Sequence, residues 1–573
     1  MMKETHWEEL YQKWLNSDYI DLDTKKELES LSQYPAEIKE RFNRALEFGT
    51  GGLRGLTGAG TNRINKYVVR HTSQGLANFL LSSYPEKTDK KIAITYDSRH
   101  YSFEFALETA LVFAANGIKA LLFKEMRPTP QLSFAIKELN CLAGIVITAS
   151  HNPPSYNGYK VYGKDGGQVT PYLTDRIVHA IRKVDFFQGV KVINRKEAES
   201  LGLLSMIDRG LDTTYLEKVK KLAFQQGSEN LKIVYSPLHG TGIYLIPRVL
   251  KELGYSQVFV VESQSCPDPN FSTVQYPNPE EKEAFTLALE LASTKDADLV
   301  LATDPDADRV GCAVKNEKGG YTLLNGNQLG ALLLDYILKQ LKEKNILPPN
   351  GVVVKTIVTS NLGKEIANSY GIEMVETLTG FKFIGEKIKE FEEKGDRQFI
   401  FGYEESFGYL AGTFVRDKDA VIASLLTADM LNYYQKQNKN MLSVLEDIYG
   451  KHGYFLEDLQ SVEFNNLSDM ESIVEKFREK QMEEVSGLQV IEKRDYQEGI
   501  KWKMPERSKE KLILPPSNAL YYLLQDDSWF CIRPSGTEPK VKLYFSVKGK
   551  SKKEAELKLA HLKEQILSFT EQG

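Results

Sequence analysis

Short apolar runs alternate with amphipathic stretches along most of the chain, and they recur in the same order. Residues 92–96 form an apolar run, a polar turn follows, and residues 103–115 have the spacing of a helix, which a glycine ends before a second apolar run at 120–123. The same order begins again at Lys232 and at Val352. Strand, helix, glycine and strand in this succession predict βαβ units in mainly parallel sheets.

The C-terminal region has a different pattern. Residues 529–533 and 541–547 are apolar runs that predict strands, and residues 552–569 have the spacing of an amphipathic helix. Between residues 479 and 518 the chain is polar and is interrupted by prolines, so we expect an irregular connection that serves as a hinge. This pattern predicts a smaller α+β domain at the end of the chain.

The two patterns together predict the fold class and the domain order. We expect an α/β protein in which three consecutive α/β domains with mixed, mainly parallel sheets precede the smaller α+β domain. A short helical extension comes first. The predicted boundaries are residues 1–40 for the extension, 41–207, 208–323 and 324–455 for the three α/β domains, and 456–573 for the last domain.

Composition and charge exclude several classes of protein. Among 573 residues, 73 Lys and Arg against 78 Asp and Glu give a formal net charge of −5, which disfavours a nucleic acid or an anionic membrane as partner. The chain has no apolar run of the roughly 20 residues that cross a bilayer, and its first residues lack the apolar core of a signal peptide. Its four cysteines are far apart and form no CxxC pair. We therefore expect a cytoplasmic protein without a zinc–thiolate site or a disulfide scaffold.

Polar loops follow three of the predicted strands directly, at the place where α/β sheets collect their ligand sites. In the first of these loops, TASHNPP, Ser150 follows an apolar strand and has His151 beside it. This arrangement suits a serine nucleophile in a loop held by two prolines, although an ordinary capped turn uses the same residue types. Lys160, in the YNGYK that follows, is placed to exchange a proton, but a lone lysine is more often solvated.

The second loop, DPDADR, carries three carboxylates at alternate positions. Alternate residues of an extended chain point the same way, so Asp304, Asp306 and Asp308 can all face one cation. Clustered hard oxygen donors suit Mg²⁺. A solvated acidic loop is the alternative, but carboxylates gathered at the end of an apolar strand would repel one another without a cation.

Three further loops carry candidate binding groups. Residues 533–537 read RPSGT, which supplies a guanidinium, two hydroxyls and a glycine for a phosphate site, with Lys542 as a second charge; a capped turn is the alternative. Glu404 and Ser406 stand between aromatic residues and suit sugar hydroxyls, or form a solvated bend. The glycine-rich turn that carries Arg54 lacks the spacing of an ATP-binding loop. Together, these loops indicate phosphoryl transfer on a sugar phosphate without a nucleotide.

TASHNPP with YNGYK, DPDADR, EESFG and RPSGT follow one another between about residues 49 and 544, and by these motifs the sequence resembles the α-D-phosphohexomutase superfamily. The resemblance implies four domains around a central cleft, a phosphoserine and one Mg²⁺ per chain, with sugar phosphates as partners of a monomer or homodimer. It implies interconversion of glucose 1-phosphate and glucose 6-phosphate through glucose 1,6-bisphosphate, which is both intermediate and activator, because EESFG looks like the glucose-specific form of its loop. Mannose or pentose phosphates, a metal-dependent serine phosphatase and a non-catalytic sugar-phosphate sensor are the alternatives.

The resemblance also implies a role for each motif residue. Ser150 would carry the phosphoryl group and contribute to the metal site. The metal ligands would then be Ser150, Asp304, Asp306 and Asp308. The other catalytic residues would be His151, Lys160, as general base, and Arg54. The substrate-binding residues would be Arg309, Thr379, Glu404, Ser406, Lys418, Arg533, Ser535, Gly536, Thr537 and Lys542.

Two positions depart from the pattern of the superfamily. Tyr403 stands directly before the first glutamate of the sugar loop, where many hexomutases have glycine. Lys542 stands where several relatives have arginine, so a bidentate grip on phosphate becomes a point charge. Both departures concern the choice or affinity of the substrate more than the chemistry.

Overall fold

The computed structural model of the chain describes residues 6–49, 51–480, 482–535 and 539–571. The described residues divide into two units with dense internal contacts. The first unit takes in the described parts of 1–324, 384–395 and 407–433, and the second takes in those of 325–383, 396–406 and 434–573. Among the described residues, none of the helices combines the length and the apolar character that crossing a bilayer requires.

Three helices precede the first sheet. They are α1 (His6–Asn16), α2 (Leu22–Ser30) and α3 (Pro35–Phe42). Their shared core contains Trp14, whose ring meets the ring of Phe42 edge-on at 5.6 Å and that of Tyr67, in the next helix, at 5.4 Å. The extension therefore packs against the helix that follows the first strand.

A six-stranded sheet forms the core of the next segment. Its elements are β1 (Gly52–Leu56), α4 (Lys66–Ser83), β2 (Lys91–Tyr96), α5 (Ser102–Ala115), β3 (Lys119–Phe123), α6 (Thr129–Glu138), β4 (Ala143–Ile147), β5 (Tyr156–Gly163), α7 (Pro171–Arg182), α8 (Arg195–Ser200) and β6 (Leu204–Ile207). The strand order is β1-β5-β4-β2-β3-β6. Strands β4, β2, β3 and β6 are parallel, and β5 runs antiparallel to β1 and β4. All five residues of β4 are buried, as the apolar run predicts for a central parallel strand.

A second, five-stranded sheet follows in the same unit. Its elements are α9 (Gly210–Lys220), β7 (Lys232–Ser236), α10 (Ile246–Leu253), β8 (Gln257–Val260), α11 (Glu262–Ser265), α12 (Thr286–Lys295), β9 (Leu299–Thr303), β10 (Val310–Lys315) and β11 (Tyr321–Leu324). The strand order is β11-β10-β9-β7-β8, in which β7 is parallel to β8 and β9, and β10 is antiparallel to β9 and β11. The buried strand β9 ends where the acidic loop begins.

The third segment repeats the alternation of strands and helices. Its elements are α13 (Gly326–Glu343), β12 (Gly351–Thr356), α14 (Leu362–Ser369), β13 (Glu373–Thr377), α15 (Phe381–Lys394), β14 (Gln398–Glu404), β15 (Gly408–Ala411), α16 (Ala420–Gln435) and α17 (Met441–His452). Within the second unit, β12 lies between β13 and β14 and is parallel to both. Strand β15 belongs to the first unit.

The last segment is an antiparallel sheet flanked by helices in the second unit. Its elements are β16 (Tyr454–Glu463), α18 (Leu467–Glu479), β17 (Glu484–Val485), β18 (Leu488–Asp495), β19 (Ile500–Lys503), β20 (Ser508–Lys511), β21 (Leu520–Leu524), β22 (Trp529–Pro534), β23 (Lys540–Gly549) and α19 (Lys552–Glu571). The order β16-β23-β22-β21-β18-β19-β20 places strands from residues 479–518 inside this sheet or at its edge. The expectation of an irregular connection there is therefore wrong.

Among the strands missed in that stretch, β18 has charged residues at buried positions and β20 has no apolar residue. In β18 the buried positions include Lys493 and Asp495, and the carboxylate of Asp495 pairs with Arg478 at 3.1 Å. All four residues of β20 are exposed. The period-two signal is therefore weak in β18 and β20, and in β19, which reads Ile-Lys-Trp-Lys, it extends over only four residues.

Candidate active site

Ser150 lies in the loop between β4 and β5, at the carboxyl end of a buried parallel strand. Its backbone has a φ of 53°, in the left-handed region that non-glycine residues seldom adopt. The N–H of Ser150 donates to the hydroxyl of Thr148 at 2.8 Å. Its own hydroxyl donates to Oδ2 of Asp304 at 2.7 Å, so the serine oxygen lies directly beside the acidic loop.

Strand pairing places two basic residues near this loop. Lys160 lies on β5 opposite Val146 of β4, and Arg54 lies on β1 opposite Gly158. A Cβ at position 158 would come within 2.3 Å of the carbonyl oxygen of Thr148, so only glycine allows the strand this close to the loop. Arg54 donates from Nη1 to Oδ1 of Asn152, in the serine loop, at 3.0 Å.

Three aspartates converge after β9. Asp304, Asp306 and Asp308 are buried, and each offers a carboxylate oxygen within 4.8 Å of the others. The backbone between them is a tight turn: the N–H of Ala307 donates to the carbonyl oxygen of Asp304 at 2.9 Å, and Ala307 has a φ of 48°. The prediction that an extended loop aims the three side chains is therefore wrong, because the turn brings them together instead.

The donor set fits a hard divalent cation. Oδ1 of Asp306 and Oδ1 of Asp308 are buried and accept no hydrogen bond from any described residue. The other oxygen of Asp306 accepts from Lys160 at 2.8 Å and from the hydroxyl of Thr129 at 2.9 Å. Buried anionic oxygens without donors, next to oxygens that are fully satisfied, match the way proteins bind Mg²⁺.

Two lysines balance the charge of the acidic turn. Lys160 lies 2.8 Å from Asp306 and 3.5 Å from Asp308, and Lys418 lies 3.1 Å from Asp308. Burial and the two neighbouring carboxylates raise the pKa of Asp304 well above its usual range. Burial also pushes up the pKa of Asp306, but the charges of Lys160 and Lys418 and the hydrogen bonds to its carboxylate together hold that pKa below its usual range. The turn is therefore an anionic centre that needs cations on several sides.

His151 lies next to the serine oxygen. Its Nδ1 lies 3.2 Å from Oγ of Ser150. Burial, together with the charges of Arg309 and Arg54, lowers the pKa of His151 to about 2. The imidazole is therefore neutral, and its ring nitrogen can accept a proton from the serine hydroxyl or donate one to it, according to its tautomer.

The first unit thus gathers nine of the predicted residues around the serine and the acidic turn. They are Arg54, Ser150, His151, Lys160, Asp304, Asp306, Asp308, Arg309 and Lys418. Arg309 also pairs with Glu280. Lys418 lies in the loop between β15 and α16, where the preceding residue, Asp417, accepts a hydrogen bond from the hydroxyl of Tyr162 at 2.6 Å.

The second unit holds the other predicted residues. Glu404 is buried at the end of β14, Ser406 follows it, and Thr379 lies in the turn before α15. Arg533 and Lys542 are cross-strand neighbours on β22 and β23, which places the two predicted phosphate-binding cations side by side. The backbone N–H of Ser535 donates to the carbonyl of Lys540. Gly536 and Thr537 lie outside the described residues.

Three residues of the site did not stand out in the sequence. Thr129 donates its hydroxyl to Asp306, and its backbone N–H donates to the carbonyl oxygen of that residue at 2.9 Å. Asp97 and Arg99 lie under the serine loop. Asp97 and Arg99 follow β2 directly, and Thr129 is the first residue of α6, the helix after β3, so the rule that sites form at the carboxyl ends of strands could have pointed to all three.

Four family models match the chain in order. They describe the α/β/α domains I, II and III and the C-terminal domain of phosphoglucomutase/phosphomannomutase, at residues 45–188, 213–319, 325–451 and 475–562. This chain belongs to the phosphoglucomutase/phosphomannomutase family. Membership confirms the predicted fold class of three α/β domains followed by a different C-terminal domain, and it makes the protein an enzyme of the isomerase class, a phosphohexomutase.

Relatives of known name share this family over most of the chain. A phosphoglucomutase of Staphylococcus aureus (strain USA300) is 38% identical over 519 residues, covering 90% of this chain and 92% of that protein. One from Staphylococcus epidermidis strain RP62A is 37% identical with 90% and 93% coverage. Among solved structures, the open form of parafusin, a phosphoglucomutase from Paramecium, matches with a TM-score of 0.68 at 18% identity, covering 92% of this chain and 95% of that one. A family protein from Burkholderia thailandensis matches with a TM-score of 0.66 at 18% identity, covering 92% and 97%. These structural matches concern the fold.

Proposed function

We propose that this phosphohexomutase interconverts glucose 1-phosphate and glucose 6-phosphate through a phosphorylated Ser150 and glucose 1,6-bisphosphate. The observation that carries the proposal is the 2.7 Å hydrogen bond from the hydroxyl of Ser150 to Asp304 of the buried acidic turn. The choice of glucose is supported by the staphylococcal relatives, which are named phosphoglucomutases, and by the EESFG form of the sugar loop.

Asp304, Asp306 and Asp308 would hold one Mg²⁺ together with an oxygen of the phosphorylated serine. When bound, this ion neutralises charge on the transferring phosphoryl group. Lys160, Lys418 and Arg54 add positive charge around the serine, which suits a reaction that depends on positioning and electrostatics more than on covalent chemistry.

Ser150 works as carrier in two half-reactions. In the first, a free hydroxyl of the sugar monophosphate attacks the phosphorus, the bond from phosphorus to Oγ of Ser150 breaks, and the hydroxyl proton passes to the neutral ring of His151. Lys160 stays charged beside Asp306 and Asp308 and would stabilise the transferring group. The product is the sugar bisphosphate. In the second, Oγ of Ser150 attacks the other phosphoryl group of the bisphosphate, the bond from that phosphorus to the sugar oxygen breaks, and the sugar oxygen takes up the proton. The products are the isomeric monophosphate and the phosphorylated serine.

Substrate binding is proposed for the remaining motif residues. Glu404 and Ser406 would accept and donate hydrogen bonds at sugar hydroxyls, and Arg309, Thr379 and Lys418 would contact the substrate. Arg533, Ser535, Gly536, Thr537 and Lys542 would clamp the phosphate that does not react. The cross-strand pair of Arg533 and Lys542 supports this assignment because two adjacent cations favour a dianion.

The decisive test is Ser150→Ala. We expect loss of mutase activity by several orders of magnitude with an unchanged far-ultraviolet circular dichroism spectrum, because Oγ carries the phosphoryl group. Mass spectrometry of the wild-type protein should find phosphate on the peptide that contains Ser150. Near-normal turnover in the variant would refute the proposal, and release of phosphate without isomer formation by the wild type would instead indicate a phosphatase.

The preferred sugar is tested separately. Coupled assays with glucose 1-phosphate, mannose 1-phosphate and ribose 1-phosphate should give the largest kcat/KM for the glucose ester.

We also propose that the enzyme works in the cytoplasm as a monomer or homodimer. All four cysteines are free thiols, which supports a reducing compartment.

A further inference from the structure

Arg99 is buried beneath the serine loop and binds its backbone. The residue follows β2, is 3% exposed, and directs both terminal nitrogens of its guanidinium at carbonyl oxygens of that loop. Nη1 donates to the carbonyls of Pro153 at 2.8 Å and Tyr156 at 3.1 Å. Nη2 donates to the carbonyls of Ser150 and Asn152. One side chain therefore binds four carbonyls between residues 150 and 156.

A guanidinium is suited to this task where other side chains are not. Its donors lie in one plane in a rigid fork, so that it can satisfy several acceptors whose positions are fixed. A lysine ammonium in the same place has three donors around a single nitrogen and cannot span carbonyls on both sides of a loop. Because a backbone carbonyl buried without a donor is costly, loss of Arg99 would leave the loop free to rearrange.

Asp97 extends the same network to the other side of Ser150. Its Oδ2 accepts the hydroxyl of Thr148 at 2.6 Å, and that hydroxyl accepts the N–H of Ser150 at 2.8 Å. Its Oδ1 accepts the hydroxyl of Ser102 at 2.7 Å and the N–H of Arg99 at 3.0 Å. The N–H of Ser150 is thus tied through Thr148 to Asp97, and its carbonyl is tied to Arg99.

This double anchor acts on a strained residue. Ser150 has a φ of 53°, in the left-handed region. A serine keeps this conformation only where the contacts around it offset its energetic cost. The anchored conformation places the serine hydroxyl 2.7 Å from Asp304. We infer that Arg99 is a positioning residue, which holds Ser150 in its left-handed conformation and so aims Oγ at the acidic turn. This inference rests on the proposed role of Ser150 as phosphoryl carrier.

Arg99 acts through the loop and does not touch the substrate. Its terminal nitrogens are taken up by loop carbonyls, its Nε lies 3.2 Å from Asp97, and its guanidinium lies over the ring of Phe271 at 4.9 Å. Loss of Arg99 should therefore lower kcat and leave the KM for glucose 1-phosphate within about threefold, since the groups proposed to bind the sugar and its phosphate remain. Displacement of a reacting atom by about 1 Å can slow a reaction by roughly 10²-fold.

The experiment compares the wild type with Arg99→Lys and Arg99→Ala. Each protein is assayed for kcat and KM, and hydrogen–deuterium exchange is measured across the peptide spanning residues 148–156. We expect Arg99→Lys to lose roughly 10²-fold in kcat, with faster exchange in this peptide and unchanged exchange in the peptides of β7–β9. If Arg99→Ala does not fold, Arg99→Lys decides the question.

Arg70→Ala is the matched control. This arginine lies on α4 of the same unit and pairs with Glu108 at 2.6 Å, away from the serine loop. Its removal should leave the exchange of the 148–156 peptide unchanged. Guanidinium ion added at millimolar concentration should restore part of the kcat of a folded Arg99→Ala protein, and urea at the same concentration should not.

Two results would overturn the inference: an unchanged kcat in both Arg99 variants, or a reduced kcat without faster exchange in the loop. An inactive wild-type protein, or one with no phosphate on Ser150, would instead overturn the proposed function. In that case the loop exchange still decides whether Arg99 holds the loop.

Discussion

At the scale of single residues, the two oxygens of one carboxylate have different partners. Oδ2 of Asp306 accepts from Thr129 and Lys160, whereas Oδ1 accepts from no described residue. The satisfied oxygen fixes the orientation of the carboxylate and leaves the other available to a cation. Outer partners of this kind strengthen metal binding because they orient the ligand before the metal arrives.

We therefore expect Thr129→Val to weaken Mg²⁺ binding roughly tenfold, because valine keeps the shape of threonine but lacks the hydroxyl that orients Asp306. Isothermal titration with Mg²⁺ in the absence of substrate measures this without relying on activity. Thr129→Ser keeps the hydroxyl and should bind Mg²⁺ as the wild type does. Equal affinities for all three proteins would contradict the assigned role of Thr129.

At this scale, the sequence alone identified some residues of the candidate site but not all of them. Ser150 and the three aspartates stood out because unusual polar groups follow apolar strands in short motifs. Arg99 did not, because an arginine in a polar turn is ordinary, and only its burial under a loop more than fifty residues away gives it a role. Thr129 is likewise unremarkable until the fold places it against Asp306.

At the scale of elements, the N-terminal helices support the loop that follows the arginine-bearing strand β1. The family models begin at residue 45, after these helices. Arg41 of α3 donates to Glu27 of α2 at 2.6 Å and to the carbonyl of Ala59 at 3.1 Å. Glu27 in turn accepts the N–H of Ala59 at 3.0 Å. A Cβ at Gly60 would lie 2.8 Å from the carbonyl oxygen of Arg41, so the loop and the helix are in close backbone contact.

Arg41→Ala should destabilise the first unit by about 1–3 kcal/mol, because in a part-buried contact it leaves Glu27 without its ion-pair partner and the carbonyl of Ala59 without a donor. Urea unfolding followed by tryptophan fluorescence measures the change. Arg195→Ala, which breaks an exposed pair with Glu199 within α8, should change stability by less than about 0.5 kcal/mol. The role of the extension would be refuted if the two variants unfolded at the same urea concentration.

Elements were predicted well where their pattern is apolar and poorly where it is not. The predicted strands at 92–96 and 120–123 and the helix at 103–115 are confirmed by β2, β3 and α5, whose ends differ by a single residue. Strand β18 was missed because charged residues occupy buried positions, β19 because its alternation spans only four residues, and β20 because all its residues are exposed. Sheet pairing stabilises such strands through backbone hydrogen bonds, which carry no signature in the side-chain pattern.

At the scale of the whole molecule, one part-buried carboxyl of the second unit should make stability depend on pH. Glu457 lies on β16 and accepts the hydroxyl of Ser546, on β23, at 3.4 Å. Burial raises its pKa from 4.5 to about 7. Hydrogen bonds with Ser360 and Ser546 and the charge of Lys355 lower the pKa, but by less. The folded state binds this proton more tightly than the unfolded state does. Its contribution to the free energy of unfolding is therefore fully present below pH 4.5 and is lost as the pH rises to about 7.

The shift corresponds to at most about 3 kcal/mol. We expect Glu457→Gln, which stays neutral, to gain stability relative to the wild type as the pH rises from 5 to 8, measured by urea midpoints at both values. Glu463→Gln removes an exposed carboxylate of the same strand and controls for the loss of charge. A constant difference between Glu457→Gln and the wild type at both pH values would show that the carboxyl does not titrate in this window.

The order of strands, helices and loops along the chain could be predicted without a structure, because it depends on residues that are close together in the sequence. The succession of strands and helices, the loops that follow them and the motifs within those loops depend on periodicity and residue type over ten or twenty positions. Tertiary structure alone decided which loops meet. It brought Arg99 to the serine loop and Thr129 to Asp306, and it placed Ser150 against Asp304, which the sequence had indicated only through the family resemblance. Such contacts depend on strand order and on the packing between the two segments of the first unit, and these are set by the burial of many residues at once.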